Sequence, residues 1–188
     1  RMTELSTHKE LKDKYKGAEG GLHGDACLYL GMYSYMDDSY TPVLKACLDS
    51  SGRLWRNPEE AREGKSPYSH GTSRDMLSGF LLGCSKDPEE VERLALYLRK
   101  HKVLSPNGDS RTDPRASGWA KIGTLLEYHG RPTLKIMGLL NWLKFKLVKP
   151  LMPLIDVIEA LTVWKGYQLH LVMVSLLFRR SLGKKDGF

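Results

Sequence analysis

Apolar residues recur along this chain in segments that all begin in the same way. Four times, a loop rich in glycine, serine or proline passes through a few polar residues into an apolar run. The four segments are GGLHGDACLYLGMYSYM, SHGTSRDMLSGFLLG, DPRASGWAKIGTLLEYHG and WKGYQLHLVMVSLLFRRSLG. Each one predicts a buried helix whose N-terminus emerges from a polar loop.

More amphipathic segments lie between these apolar ones, namely YTPVLKACLDS, DPEEVERLALYLRKHKV and PLMPLIDVIEALTVW. Asp25, Asp75, Trp119 and His170 occupy corresponding places in the four apolar segments and are 50, 44 and 51 positions apart. Such a period accommodates two helices and their connections. The sequence therefore predicts an all-α fold of about four αα-hairpins, in which an inner apolar helix is followed by an outer amphipathic one.

Local signals place the ends of several predicted helices. Asp25, Ser73 or Asp75, Asp87 and Ser117 are the candidate N-caps or first-turn acids, because their side chains can accept bonds from free backbone N–H groups. Pro88 suits the first turn of its helix, and Gly130 suits a helix stop.

Two long loops interrupt the helical pattern. DSSGRLWRNPEEAREGKSPYS predicts an irregular loop or a small β-hairpin over one end of the helices, and residues 105–118 form the second loop, on the same side. The expected organisation is a polar segment at 1–20, a single helical-hairpin domain at 21–183 and a basic tail at 184–188.

The candidate site lies where the inner helices begin. If these helices run in one direction, their N-termini meet on one face and their dipoles favour carboxylates or anionic ligand groups there. The residues expected on this face, or on the loops beside it, are His23, Asp25, Trp55, Tyr68, His70, Arg74, Asp75, Trp119, Tyr167 and His170.

Each of these residues also has a simpler interpretation. Asp25 and Asp75 fit ordinary N-caps, Trp119 fits a core position, and His170 lies between leucines like a buried histidine. Capping alone, however, does not require His, Arg, Trp and Tyr at matching places of a repeat. That convergence favours a functional site.

Charge and cysteine usage narrow the function classes. The net charge of +7 suits an anionic partner such as a glycan, although a solvated basic surface explains it equally well. Cys27 and Cys84 lie in apolar runs, which predicts buried free thiols, as in the cytoplasm of a bacterial host or in a phage particle. The N-terminal sequence has no apolar signal region, and no apolar stretch is long enough to span a membrane.

Other chemistries find little support. The sequence has no glycine-rich phosphate loop, dinucleotide fingerprint, HExxH pair, CxxC pair or GxSxG elbow, so we expect no cofactor and no metal. Nucleic-acid binding is disfavoured because basic residues are not interleaved with aromatic ones along any single element.

The segment 135–149 leaves two interpretations open. Ile136, Leu139, Leu140, Leu143 and Leu147 form a helical stripe with lysines around it. This pattern suits a helix on a membrane surface or a protein partner. An amphipathic helix packed on its own core is the more common case, and we expect it here.

The inner and outer sets of helices resemble the (α/α) toroids of glycoside hydrolases and polysaccharide lyases. SRDMLSGFLLG and GYQLHLV are also similar to reading frames of phages and prophages. The resemblance implies a reduced toroid of four hairpins, fewer than the five to seven usual for such rings, that acts on an anionic polysaccharide. The alternative is a non-catalytic glycan-binding or virion-associated structural module.

The same resemblance implies roles for the candidate residues. Hydrolysis would use Asp25 as the general acid and Asp75 as the base or nucleophile. A lyase would instead use His170 or Tyr167 as the base, with Arg74 neutralising a uronic acid. In either case Trp55, Tyr68 and Trp119 would stack on sugar rings, and His23 and His70 would contact substrate.

Overall fold

A computed structural model describes residues 24–68, 71–108, 112–131, 133–152, 154–155, 157–158 and 177, with the backbone alone for 133–137. This part of the chain is all-α, as predicted from the sequence. Its helices are α1 (Ala26–Met36), α2 (Thr41–Lys45), α3 (Pro58–Glu63), α4 (Arg74–Gly83), α5 (Pro88–His101), α6 (Arg115–Tyr128) and α7 (Thr133–Val148). Single 3-10 turns follow α1 at Asp38–Tyr40 and α7 at Lys149–Leu151.

Helices α1 and α4 cross closely because glycines face each other. A methyl group added at Gly31 would overlap the carbonyl oxygen of Gly79, and one added at Gly79 would lie 2.5 Å from the Cα atom of Leu28. One added at Gly83 would lie 2.9 Å from the Cα atom of Gly31. The Gly79-x-x-x-Gly83 spacing puts both glycines on one side of α4, so the two backbones touch there.

Three apolar helices run parallel. The Cys27 thiol donates to the carbonyl of Met76 at 3.7 Å, and Gly31 meets Gly83 one turn further on, so α1 and α4 advance together. Lys121 Nζ lies 3.4 Å from Ser78 Oγ, and His129 Nε2 lies 2.5 Å from the carbonyl of Ser85, so α4 and α6 advance together as well. The common direction expected for the inner helices therefore holds for these three.

Helix α5 shows the amphipathic pattern expected of an outer helix. Val91, Leu94, Ala95 and Leu98 are buried at a spacing of three and four residues. Arg131, just after α6, pairs with Glu92 near the start of α5, so α5 begins where α6 ends. It packs against α6 and α7.

The segment after α2 closes on itself in a small hairpin. Leu48 and Leu54 form an antiparallel bridge, and Gly52 adopts a left-handed φ of 86° beside the carbonyl of Arg93. The Asp49 carboxylate accepts from the backbone N–H groups of Ser51 and Arg53, at 2.8 and 3.1 Å, and from Trp55 Nε1 at 2.7 Å. This matches the predicted small hairpin.

Several predicted caps differ from the observed ones. Asp25 and Asp87 do precede α1 and α5, but neither side chain makes a capping bond. Asp87 instead pairs with Lys45, a long-range partner that the local sequence does not reveal. Ser117 is buried inside α6, which begins two residues earlier. Gly130, with a φ of 71°, ends α6 as predicted.

The expectation that the stripe along α7 packs on the core is wrong for the residues whose side chains are described. Leu139, Leu140, Leu143 and Leu147 are 64%, 76%, 44% and 71% exposed. The opposite side of the helix is the buried one, with Phe145 fully covered and its ring against Gly123 of α6. Ile136 lies outside the described side chains.

Candidate functional site

The N-termini of α1, α4 and α6 lie at one end of the molecule because the three helices are parallel. We call this end the rim, and it comprises residues 24–26, 56–60, 68, 71–75 and 112–117. Arg53 Nη2 donates to Ser105 Oγ at 3.1 Å and so joins the two long loops beside it. The prediction that both loops lie on the same side is confirmed by this bond.

Arg56 organises the part of the rim at the start of α1. Its side chain is 8% exposed, and its Nη1 atom donates to the carbonyl of Gly24 and lies 3.8 Å from Asp25 Oδ1. The guanidinium also lies over the Tyr68 ring, 4.6 Å from its centroid. The backbone carbonyl of Arg56 accepts from the N–H of Cys27 at 2.7 Å, which fixes the loop to the first turn of α1.

Glu60 is a buried carboxyl group next to this arginine. It is 5% exposed, and burial raises the pKa of its carboxyl group, an effect that Ser66 and Arg56 only partly offset. Its backbone N–H donates to Asn57 Oδ1 at 2.8 Å, while Oε1 lies 3.3 Å from Asn57 Nδ2. Glu60 therefore retains a proton at a higher pH than an ordinary glutamate does.

A pocket of about 350 Å³ opens beside Glu60. Its walls are Asn57, Glu59, Glu60, Glu63, Lys65, Ser66 and Pro67. The pocket thus combines one buried, protonatable carboxyl group with a half-buried acidic neighbour, Glu59, and an exposed one, Glu63. This combination is typical of proton donation to a bound substrate.

The start of α4 holds polar atoms that find no partner within the described part of the chain. Thr72 is 1% exposed, and its Oγ1 atom accepts and donates no hydrogen bond there; the buried Nη1 atom of Arg74 likewise has no acceptor. Ser73 occupies the N-cap position without a capping bond, and Asp75 lies in the first turn. Two unsatisfied buried donors at a helix N-terminus suit an anionic ligand group.

The predicted aromatic residues have different surroundings. Trp55 is 3% exposed, its indole N–H bonds to Asp49, and the Arg53 guanidinium lies 3.8 Å from its ring centroid. No face of the ring is open in this conformation, and the stacking of Trp55 on a sugar ring stays a prediction. Trp119 is partly buried against the core, and Tyr68 stays at the rim.

Four predicted site residues lie outside the described residues, namely His23, His70, Tyr167 and His170. The rim thus brings together Asp25, Tyr68, Arg74 and Asp75 from the predicted set, with Arg56 and Glu60 added. The sequence carried one signal for Glu60: Asn57-Pro58-Glu59-Glu60 has the N-cap and third-position glutamate of a capping box. Its burial beneath Arg56 had no local signal.

A second pocket, of about 400 Å³, lies at the opposite end of α4. Its charged groups are already paired, since Lys86 Nζ lies 2.9 Å from Asp38 Oδ1 and Lys45 pairs with Asp87. Charges that are already paired within the protein bind a ligand less strongly than the unpartnered donors of the rim do. We therefore regard the rim as the candidate site.

Across the described residues, no group of three or more His, Cys, Asp or Glu side chains could hold a metal ion. Nor is any described helix both long and apolar enough to cross a bilayer. Comparisons with protein-family models, curated protein sequences and solved structures found no match.

Proposed function

We propose that the rim binds an anionic glycan and cleaves it, as a hydrolase or as a lyase. The observation that carries the proposal is the pair of buried, unpartnered donors at the start of α4, Thr72 Oγ1 and Arg74 Nη1. Parallel helices place these donors at the same end of the molecule as the buried carboxyl group of Glu60.

The carboxylate of a uronic acid is the anionic group we assign to the start of α4. A guanidinium and the free N–H groups of a first helical turn both donate to carboxylate oxygens, and charge-assisted bonds of this kind are stronger than neutral ones. The acidic wall of the pocket beside Glu60 suits an uncharged part of the chain instead.

Proton donation falls to Glu60 in this proposal rather than to Asp25. A general acid needs a raised pKa, and burial raises the pKa of Glu60. Asp25 faces the Arg56 guanidinium at 3.8 Å, which favours its ionised form and suits a base. Asp75 remains the second candidate for base or nucleophile, and a lyase would take its base from Tyr167 or His170.

The fold that we propose around this site is a reduced (α/α) toroid. Parallel α1, α4 and α6 would form its inner wall, with α5 as part of the outer one. The common direction of the three helices supports this arrangement, and so does α5, which begins at the C-terminal end of α6 and packs against that helix. Four αα-hairpins, with an inner helix at 164–183, would complete it.

Mass spectrometry of acidic polysaccharides incubated with the protein tests the activity. Fragments that carry an added water indicate hydrolysis, and fragments with an unsaturated end indicate a lyase. We expect Glu60→Gln to lower fragment release by about 100-fold or more, because general acid catalysis contributes that much. Arg74→Gln should slow the cleavage of uronic acid polymers while sparing neutral ones.

Stability separates the catalytic role of Glu60 from a structural one. The folded pKa of Glu60 is raised, so the wild type loses stability as the pH rises from the ordinary glutamate value through the folded one. Glu60→Gln should therefore be the more stable protein at neutral pH, by a margin that disappears in acid. Loss of activity together with gain of stability cannot come from misfolding.

Lys86→Gln, in the paired pocket at the opposite end, serves as the control that should cleave normally. If the protein binds a polysaccharide but releases no fragments, the proposal of an enzyme fails and the non-catalytic glycan-binding module takes its place. Absence of both binding and fragments across cell-wall and capsular polysaccharides would overturn the proposal.

A further inference from the structure

Helix α7 is apolar on two opposite sides. One side is covered by α6, where Phe145 is 0% exposed. The other side is open, and four leucines of α7 lie on it, followed by two more beyond the end of the helix. We call these six the leucine face: Leu139, Leu140, Leu143, Leu147, Leu151 and Leu154, all between 44% and 76% exposed. Val157 and Ile158, 49% and 47% exposed, follow it in the chain. Contiguous exposed patches of this kind mark interaction surfaces.

Lysines border the leucine face on both sides. At about 100° per residue, Lys144 and Lys146 lie a quarter turn to either side of Phe145, and thus along the two margins of the face. Lys149, in the next turn, lies on the side of Phe145 instead, and both Lys146 and Lys149 pair with Glu127 of α6. The sequence has no acidic residue from 128 to 155, and it has five basic ones, Arg131, Lys135, Lys144, Lys146 and Lys149.

We propose that the leucine face lies in the surface of an anionic lipid bilayer. An interfacial helix inserts its leucines at the boundary between headgroups and acyl chains, while the lysines along its margins reach the lipid phosphates.

Charge distinguishes lipid from a protein partner as the occupant. Protein–protein interfaces are depleted of lysine, especially near their centres. Of the lysines at this face, Lys146 and Lys149 share a single carboxylate, that of Glu127, so the face keeps a net positive charge. An anionic bilayer attracts the same lysines at every point of its surface. The proposed contact is peripheral, with the helix lying in the interface rather than crossing the bilayer.

Flotation of the full chain with vesicles tests this inference. We expect the protein to float with vesicles of equal parts phosphatidylglycerol and phosphatidylcholine, and to float much less with phosphatidylcholine alone. Lys144→Gln should lower the partition coefficient on anionic vesicles by about fivefold, as loss of one lysine near such a surface does. Leu143→Gln with Leu147→Gln should lower it at least about tenfold, since two leucines then stay out of the apolar layer.

Matched control variants replace the same kinds of side chain, apolar ones and a lysine, on other helices. Met36→Gln with Leu96→Gln replaces two exposed apolar side chains, 70% and 51% exposed, on α1 and α5. Lys100→Gln replaces an exposed lysine on α5. Both controls should float like the wild type, and a circular dichroism melt should show that all variants fold.

Three results would overturn the inference. One is failure to float with anionic vesicles. Another is flotation that the double leucine variant leaves unchanged. The third is a stable dimer in sedimentation analysis that the leucine variant dissociates, because the face would then be an interface between two copies of the chain.

Discussion

At the scale of single residues, charged groups in this protein pair over long distances in the chain. Asp87 pairs with Lys45 rather than capping its own helix, and Arg56 contacts both Gly24 and Tyr68. Arg56 also lies 3.8 Å from Asp25, and local sequence rules assign both Asp25 and Asp87 to nearby backbone groups instead. A short sequence window therefore placed Asp25 and Asp87 at the correct helix ends but gave their side chains the wrong partners.

Asp49 is the residue with the clearest stabilising role. Although partial burial raises its pKa, hydrogen bonds from Ser51, Trp55 and Arg53 outweigh this and hold the pKa below the ordinary 3.8. We expect Asp49→Asn to lower the free energy of unfolding by about 2–3 kcal/mol at neutral pH, because an amide cannot accept all of these bonds. Urea unfolding measures the difference.

Acid should remove the advantage of Asp49. A carboxylate with a depressed folded pKa stabilises the protein above its unfolded pKa, and this stabilisation is lost as the pH falls through the folded value. The difference in the free energy of unfolding between the wild type and Asp49→Asn should therefore disappear as the pH is lowered. Asp38→Asn, at an exposed carboxylate that forms a surface ion pair with Lys86, should change stability little. An unchanged difference in acid would contradict the role of the charge.

At the scale of whole elements, glycine determines how closely α1 and α4 approach. The sequence predicted two buried apolar helices but not their contact, because the glycines of LYLGMY and MLSGFLLG could equally have faced solvent. Helix periodicity reports which side is apolar, not which neighbour covers it. The same limit explains the wrong expectation for α7. This helix is apolar on two sides, and the sequence alone does not show which of them packs on the core.

Gly31→Ala tests the backbone contact between α1 and α4. Its methyl group would overlap the backbone of Gly79, which cannot rotate away as a side chain can, so we expect a loss of about 3 kcal/mol or more. Gly118→Ala in α6 is the matched control, since its nearest atom is Leu77 Cδ2 at 3.0 Å. Alanine also favours a helix by about 1 kcal/mol over glycine. Equal losses for the two variants would refute the close crossing.

At the scale of the whole molecule, one core joins segments that lie far apart in the chain. Cys27 of α1, Cys47 after α2 and Cys84 after α4 are 0%, 0% and 1% exposed, which confirms the buried free thiols predicted for Cys27 and Cys84. Apolar flanking residues made this burial predictable. The position of the rim was predictable too, once the helices were assumed to be parallel. The positions of Arg56 and Glu60 at the rim were not, because they depend on how a loop folds.

The three thiols report whether this core opens as one unit. Burial raises the pKa of the Cys27 and Cys84 thiols well above the usual range, so neither supplies the reactive thiolate in the native state. We expect a thiol reagent at mildly alkaline pH to leave the native protein unlabelled and to label three cysteines together in urea, as mass spectrometry resolves. Labelling should follow the loss of helix if the segments unfold cooperatively. Early labelling of one cysteine alone would instead show that its segment opens separately from the rest of the core.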